Sequence, residues 1–300
     1  MNKFRPILIL SLFILFMVSL GAISAEELNS TVVNDAQATD SIYVDSNAVI
    51  GGDGALNNPM NNIRDAVNSA NNNSIIHVKG GNYSTSDNSK IIINKTITIE
   101  SYDETAVING KYSDYVFYIT DKGSLTLKNI EFVNTEYSTV KTYGAIVNYG
   151  NLNVLDSSFS NAVGLRAGII LNYGTLLVNN SLFEENHKSS STGNNGIIYN
   201  NGTATILNSL FNHNYARWGT ILSDYKLTII NSTIKNNIAY DGTSTYKFGA
   251  GIAINTGEAD YFNPYRNDGI DTKILNCNFT NNGQTDIYAG EGDLLVSECK

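Results

Sequence analysis

The amino-acid sequence predicts an all-β fold, a parallel β-helix that begins with a short capping α-helix. Three observations support this prediction: a repeated segment, the strand-like alternation of apolar and polar residues within it, and asparagine at fixed places between strands. Short strands with no helix between them cannot bury an apolar face alone. Successive turns must therefore stack on one another to make the core.

Residues 1–25 are predicted to be a secretory signal peptide. Lys3 and Arg5 precede an apolar run from Ile7 to Leu20, and small residues close the segment at Ala22–Ala25. An uncleaved membrane anchor is the alternative, because the apolar run extended through Ile23 is about 17 residues long, close to the lower limit for a membrane span. Residues 26–40 are then a linker. We expect no transmembrane segment after cleavage, since no second apolar run of that length follows.

Residues 41–122 are predicted to hold the capping helix and the first, irregular turns of the β-helix. Ile63, Ala66, Val67 and Ala70 would lie on one face of a short helix. The end of a solenoid exposes strand edges and apolar core, so it needs such a cap. Short strands are expected around residues 75–78, 91–93, 97–99, 106–108 and 116–119.

Residues 123–300 are predicted to form the regular repeats. Six copies of the repeat can be aligned, at Gly123–Phe132, Gly150–Phe159, Gly174–Phe183, Gly202–Phe211, Leu227–Ile234 and Lys273–Phe279. A second short strand precedes the later copies, as in Gly144–Asn148 and Gly168–Asn172. Leucine-rich repeats are excluded, because their leucine order and helical return segment are missing. Each turn is therefore expected to contain two short strands and an asparagine-containing corner.

Asparagine is expected to stack in two ladders at the corners, because it tolerates left-handed backbone and its amide can bond to the next turn. The first ladder, with Asp156 in the same column, contains Asn129, Asn180, Asn208, Asn231 and Asn276. The second ladder contains Asn186, Asn214, Asn237 and Asn282, and the sequence alignment places Asn134 and Asn161 in the same column.

The last residues align with the start of a further repeat that stops at Lys300. We expect either that the sequence is a fragment of a longer protein or that its end pairs with another chain. The same alignment places Cys277 and Cys299 in one column on adjacent turns, together with serines of the earlier repeats. The Cα atoms of the two cysteines would be about 4.8 Å apart, with their Cα–Cβ bonds parallel. This geometry fits a disulfide poorly, so we expect stacked thiols.

Composition excludes several classes of protein. Apolar residues make up 42% of the chain and charged residues 16%, which is unlike a disordered chain or a coiled coil. The net charge of −9 repels a phosphate backbone, so nucleic acid is not an expected partner. Two cysteines are too few for a disulfide scaffold.

The entry segment resembles that of right-handed parallel β-helix proteins in the pectate-lyase-like superfamily, through Ile42–Asp45, Gly51–Gly54, Asn58–Pro59, Ile75–Val78 and Gly80–Tyr83. Strand pairs that end in F-x-x-N, together with Gly-Ala-Ile, are similar to the repeats of polymorphic surface proteins. With its Asn and Thr bias, the chain resembles the adhesin-like surface proteins of methanogenic archaea over nearly all of residues 40–300. This resemblance implies a right-handed β-helix but no single activity, since lyases, hydrolases, adhesins and toxins share the fold.

The motifs of β-helix enzymes are missing from the sequence. A lyase acting on uronates would need carboxylates holding calcium beside a proton-abstracting Lys or Arg, and a hydrolase would need clustered Asp residues. The Asn-Thr-Asp, Asp-Asp, Gly-His-Gly and Arg-Ile-Lys hydrolase signatures are absent, as is the lyase pattern. We therefore predict no catalytic residue, no bound metal and no cofactor. Calcium is the one ion that the acidic side chains of residues 256–272 would suit.

The longest interruption between repeats, residues 256–272, is the predicted place of ligand contact. Carboxylates, an arginine and aromatic rings are the chemistry of a saccharide site, and the candidates are Asp260, Tyr261, Tyr265, Arg266, Asp268 and Asp271. The alternative is a solvated surface insertion whose aromatic rings pack on the β-helix.

Glu185, His213 and Asn236 form a weaker candidate in one column, which we interpret as an exposed turn surface. Asn29 and Asn82 are predicted glycosylation sites in loop-like sequence.

These observations predict an exported protein, extracellular or on the cell surface, that acts as an adhesin-like binding module for cells, matrix or glycans. The expected partners are surface glycans or proteins of a host or a neighbouring cell. One alternative is a calcium-dependent polysaccharide lyase or glycoside hydrolase that uses the insertion. The other is a structural component of an envelope or stalk.

Overall fold

Parallel strands stacked along one axis make up the structure, a computed structural model that describes residues 40–110, 115–134, 144–164, 169–188, 196–239, 249–254, 271–283, 285–290 and 293–300. The predicted signal peptide and residues 26–39 of the predicted linker lie outside these ranges. Among the described residues, no helix is long and apolar enough to cross a membrane.

The first turns contain, in chain order, β1 (Ser41–Val44), α1 (Ile63–Ser69), β2 (Ser74–Tyr83), a 3-10 turn (Ser86–Asn88), β3 (Ile91–Ile93), β4 (Thr96–Asn109) and β5 (Phe117–Ile119). The next turns contain β6 (Ser124–Lys128), β7 (Ile130–Val133), β8 (Ile146–Asn148), β9 (Asn151–Leu155), β10 (Ser158–Ser160), β11 (Val163–Gly164), β12 (Ile170–Asn172), β13 (Thr175–Asn179), β14 (Leu182–Glu184) and β15 (His187–Lys188). The last turns contain β16 (Ile198–Asn200), β17 (Thr203–Leu207), β18 (Leu210–Asn212), β19 (Tyr215–Ala216), β20 (Ile221–Ser223), β21 (Leu227–Ile230), β22 (Thr233–Lys235), β23 (Ile238–Ala239), β24 (Gly249–Ile254), β25 (Asp271–Leu275), β26 (Asn278–Thr280), β27 (Thr285–Ala289) and β28 (Asp293–Ser297).

These strands form a 16-stranded, an 8-stranded and a 4-stranded sheet, and each strand pairs in parallel with the equivalent strand of the next turn. The 16-stranded sheet holds two rows of strands, one running from β6 to β28 and one from β7 to β26, which β4 joins. The predicted parallel β-helix is confirmed.

The repeat contains one more strand than the sequence predicted. The segment Gly150–Phe159, for example, holds β9 and β10, which are separated by Asp156 with a φ of 50°. A left-handed residue turns the chain sharply, so what reads as one alternating strand is two strands on different sides of the core.

Stacked apolar columns fill the interior. The side chains of Phe132, Phe159, Phe183 and Phe211 are buried, and their rings stack with centroids 4.7 to 4.8 Å apart and planes 7 to 9° apart. This spacing equals the separation of neighbouring strands, so each ring lies directly on the ring of the next turn.

The predicted capping helix is confirmed as α1. The side chain of Asn62 accepts a hydrogen bond from the Asp65 N–H at 2.8 Å and begins the helix. Ile63, Ala66 and Val67 are buried beneath it. The Lys95 ammonium donates to the carbonyls of Val67 and Ala70 at 3.0 and 2.7 Å and fixes the other end of the helix.

The two cysteines stack in the column of serines, as their alignment predicts. In this column each hydroxyl accepts the N–H of the equivalent residue one turn earlier, as in Ser157 N–H to Ser181 Oγ at 3.2 Å. The Cys277 N–H donates to Cys299 Sγ at 3.4 Å in the same way, and both thiols are free. Burial raises the pKa of the Cys277 thiol.

Candidate functional site

Most of the predicted ligand-binding insertion lies outside the described residues, namely Asp260, Tyr261, Tyr265, Arg266 and Asp268. Asp271 is described and begins β25, where its carboxylate accepts from the Lys273 ammonium at 3.2 Å on an exposed surface. In the described ranges, no group of three or more His, Cys, Asp or Glu side chains is placed to hold a metal ion.

The weaker candidate lies in one column, as predicted. Glu185, His213 and Asn236 have φ values of 54, 52 and 57°, and each is the corner residue that follows a strand of the second row. Asn134 and Asn161 occupy the same left-handed column, with φ of 48 and 53°. They therefore do not belong to the ladder with which the sequence grouped them.

The first asparagine ladder runs over an exposed corner. Its asparagines, Asn129, Asn180, Asn208, Asn231 and Asn276, have φ between 50 and 54°. The Asn276 amide donates to Asn231 Oδ1 at 2.8 Å, and the Asn180 amide donates to Asp156 at 2.7 Å. The Asn208 amide turns to Asn179 instead, at 2.9 Å.

The second ladder is buried at its centre. Asn186, Asn214 and Asn237 are at most 1% exposed. Each amide donates to the amide oxygen of the next turn, at 2.9 Å from Asn186 and 3.0 Å from Asn214, and the chain of bonds ends at Asn282. The same amides also donate to backbone carbonyls, such as that of Phe183. The ladder therefore satisfies polar groups inside the corner.

A third ladder was missed by the sequence analysis. Asn148, Asn172 and Asn200 are fully buried, and their amides donate along the column at 2.7, 2.7 and 2.9 Å, ending at Ser223 Oγ. Their shared position at the end of the strand before each glycine was the available signal. All three ladders stiffen the corners that position the outer surface.

The predicted glycosylation sites receive little further support. Asn29 lies outside the described residues. Asn82 lies in β2 rather than in a loop, although its side chain is exposed. Glycosylation at either residue stays a prediction.

An aromatic group lies on the outward face of the first turns, and the sequence did not reveal it. The Tyr43 ring stacks on His77 with centroids 4.9 Å apart, and Tyr102 contacts both rings edge-on at 5.7 and 6.4 Å. The three residues come from β1, β2 and β4, which pair in parallel. Because these turns lack the repeat, only the strand register brings the rings together.

Ion pairs surround this aromatic group. Glu100 lies 3.2 Å from Nδ1 of His77 and 3.5 Å from the Lys128 ammonium. The Lys79 ammonium donates to Asp45 at 3.0 Å. The backbone N–H of Asn47, followed by Lys79, holds the pKa of Asp45 below its ordinary value, whereas burial raises the pKa of Tyr102. The charges are mutually compensated, so this region is a stabilised surface of the first turns.

A row of tyrosines runs along the edge of the 8-stranded sheet, with two rings in strands β5 and β16 and two in the corners that follow β8 and β12. This tyrosine column consists of Tyr118, Tyr149, Tyr173 and Tyr199, with successive ring centroids 5.6, 4.9 and 6.2 Å apart. Tyr149 is 42% exposed. The Tyr199 hydroxyl donates to Asp224 at 2.9 Å. The column therefore presents its rings along the axis at Tyr118, Tyr149 and Tyr173, whereas the Tyr199 ring is 5% exposed and is part of the buried cluster described next.

Buried residues fix the column from behind. Val147, Leu171 and Leu222 form a second apolar cluster with Trp218, outside the main core. The Arg217 guanidinium lies 5.0 Å from the Trp218 ring, within range of a cation–π contact. Trp218 is 2% exposed, so it packs rather than presents its ring to a ligand.

Next to the column lies a face of hydroxyl and amide groups, formed by the outward side chains of β6, β9, β13, β17 and β21. We call it the polar face, and its hydrogen-bonding residues are Ser124, Thr126, Asn151, Asn153, Thr175, Asn179, Thr203, Thr205 and Thr228, with Leu155, Leu177, Leu207 and Ile230 at the other uncharged outward positions. The five strands pair with no shift of register. Outward side chains therefore stack from turn to turn, and most of them are Ser, Thr or Asn, as the Asn153 amide donating to Thr126 Oγ1 at 3.1 Å illustrates.

Glycine brings the two surfaces together. Gly150 and Gly174 separate Tyr149 from Asn151 and Tyr173 from Thr175. A Cβ on Gly174 would lie 2.1 Å from the carbonyl oxygen of Gly150, so no other residue fits this corner without movement of the backbone. The tight corner holds the tyrosine column beside the polar face, and we call the combined surface the flank.

Known structures share this fold at low sequence identity. A rhamnogalacturonan lyase matches with a TM-score of 0.52 and 14% identity, over 80% of this chain and 67% of that chain. The pectate lyase Pel9A matches with a TM-score of 0.53 and 16% identity, over 87% of this chain and 78% of that chain. No protein-family model and no curated protein matches the sequence. The likeness shows a pectate-lyase-like parallel β-helix and leaves the activity open.

Proposed function

We propose that this chain is an adhesin-like binding module, extracellular or on the cell surface, that holds glycans on its flank without cleaving them. The observation that carries the proposal is the tyrosine column beside the polar face. Aromatic rings with polar tips and uncharged hydrogen-bonding groups recognise sugars, which present both C–H surfaces and hydroxyl groups. The location at the cell surface rests on the predicted signal peptide.

The repetition of the flank supports binding rather than chemistry. A catalytic site needs a few different groups converging on one bond, whereas this surface offers similar groups at each turn. Weak contacts repeated along a polymer add up through effective concentration. Adhesion to glycan-coated cells or matrix uses this kind of contact.

A combined binding and cleavage screen tests the proposal. The purified protein is applied to an array of glycans and polysaccharides, and the same samples are assayed for new reducing or unsaturated ends, with calcium and with a chelator. We expect saturable binding with no release of products. Release of products would contradict the proposal and support a carbohydrate-active enzyme, and silence in both assays would leave a structural role or a protein partner.

A further inference from the structure

We infer that the ligand of the flank is an extended, neutral polysaccharide that lies along the β-helix axis, across β6, β9, β13, β17 and β21. This inference rests on the proposed function and adds the class of ligand and its direction. It follows from the charge, the hydrogen-bonding groups and the periodicity of the polar face.

The charge of the polar face excludes an acidic polymer. Lys128 is the only charged side chain at the outward positions of these five strands, all of which are described, and it already lies 3.5 Å from Glu100. A polyuronate carries a carboxylate on each sugar and needs arginine or lysine partners along its length. The chain as a whole has a net charge of −9, which repels such a polymer.

The polar groups of this face suit hydroxyl groups. A threonine hydroxyl can both donate and accept a hydrogen bond, as a sugar hydroxyl does. Among the described residues, the side-chain hydroxyls of Thr175, Thr203, Thr205 and Thr228 have no hydrogen-bond partner. Leu155, Leu177, Leu207 and Ile230 lie among them, half-buried and outward. The face therefore offers hydrogen bonds together with apolar contact for the C–H groups of a sugar ring.

The periodicity sets the direction of the ligand. Neighbouring strands lie about 4.8 Å apart, so the polar face repeats at this interval and its five strands span about 19 Å along the axis. The tyrosine column runs parallel to it. A polymer along the axis meets both surfaces on successive turns, those of Tyr118, Tyr149 and Tyr173, whereas one lying along a single strand meets them once. A flat surface offers a small sugar few contacts, since small ligands prefer concave sites.

A charge substitution tests the inference. Migration of the protein is measured in native gels that contain galactomannan, xyloglucan or mixed-linkage glucan, and in gels that contain polygalacturonate or alginate. We expect at least one neutral polymer to retard the protein and the Thr205→Glu variant to bind about tenfold more weakly or worse, because Glu brings an unpaired charge into the contact.

The control is Thr233→Glu, the same change at an outward, half-buried threonine of β22 beyond the polar face, which should bind normally. Thr203→Glu, at an exposed position, is the second test variant, and circular dichroism verifies the fold of each.

The outcomes separate the inference from the proposed function. Preference for polygalacturonate or alginate that salt abolishes would overturn the inference and leave glycan binding intact. Equal binding by Thr205→Glu and Thr233→Glu would also overturn it.

A series of oligosaccharides of the bound neutral polymer tests the direction of the ligand. Affinity should rise until the extended length of the oligosaccharide reaches about 19 Å. A plateau at one or two sugars would contradict the axial direction. Failure of every polysaccharide to bind would remove the proposed function itself.

Discussion

Asparagine occupies most of the corner positions whose backbone is left-handed, a conformation that costs most L-residues about 1–2 kcal/mol. Glu185 and His213 adopt the same conformation, with φ of 54 and 52°, in a column that has asparagine on other turns. Their side chains gain no relief from the local bonds that asparagine makes. The strain at these two residues is therefore a cost that substitution can remove.

Glu185→Asn and His213→Asn should each raise the free energy of unfolding by about 0.5–1 kcal/mol, because asparagine tolerates the left-handed conformation. Urea denaturation measures the change. The control is Glu131→Asn, at an extended, half-buried position of β7, which should give no gain. A loss of stability in both corner variants would mean that the glutamate and histidine make contacts that outweigh the strain.

Asp45 gives the surface of the first turns a pH dependence. Its pKa is held below the ordinary value of 3.8, first by the Asn47 N–H and then by Lys79, so the ionised form stabilises the folded chain. This contribution is complete above about pH 5 and is lost as the pH falls through the folded pKa. Asp45→Asn should therefore lower the free energy of unfolding by about 1 kcal/mol at pH 7. The same comparison near pH 2.5 should show almost no difference, and a difference independent of pH would exclude this role of the carboxylate.

At the scale of elements, the three ladders differ in burial, and this difference should appear in their energetics. In the buried ladder, Asn214 accepts from the Asn186 N–H at 3.2 Å and donates to the Phe183 carbonyl at 2.9 Å. Removal of its side chain leaves these groups without partners in a closed corner. In the exposed ladder, water replaces a lost amide.

Asn214→Ala should lower the free energy of unfolding by about 2–4 kcal/mol, because at least two buried polar groups lose their partners at about 1–3 kcal/mol each. The matched variant Asn208→Gly keeps the left-handed backbone and removes only exposed hydrogen bonds, to Asn179 and from Asn231, so it should cost less than about 1 kcal/mol. Thermal unfolding followed by circular dichroism measures both. Similar losses in the two variants would contradict the difference in burial.

The elements of the repeat could be predicted from the sequence because each turn reuses the same chemistry. Phe159, Phe183 and Phe211 mark the core column, and the residues three positions before them mark a corner. The extra strand of each repeat, such as Ser158–Ser160, was missed because it has only three residues and directly follows the corner at Asp156. His77 and Tyr102 could not be placed on one surface, since their turns have no repeat to align and the contact depends on register between distant strands.

At the scale of the whole molecule, the proposed binding site lies on the flank rather than in the insertion. The sequence drew attention to residues 256–272 because they interrupt the repeat and concentrate charged and aromatic residues. The flank escaped notice because its residues are ordinary threonines, asparagines and tyrosines, spaced 23 to 28 positions apart, whose proximity depends on stacking of the turns. A β-helix converts such a long repeat into a continuous surface.

Protection of individual tyrosines would test the location of the binding surface most directly. Hydroxyl-radical oxidation of the intact protein is measured by mass spectrometry with and without a bound neutral polysaccharide from the gel assay. We predict that oxidation of Tyr149 and Tyr173 falls when the polymer binds, while oxidation of Tyr43 and Tyr102 on the first turns is unchanged. Protection confined to Tyr261 and Tyr265, with Tyr149 oxidised as in the free protein, would contradict the account and return the site to the insertion.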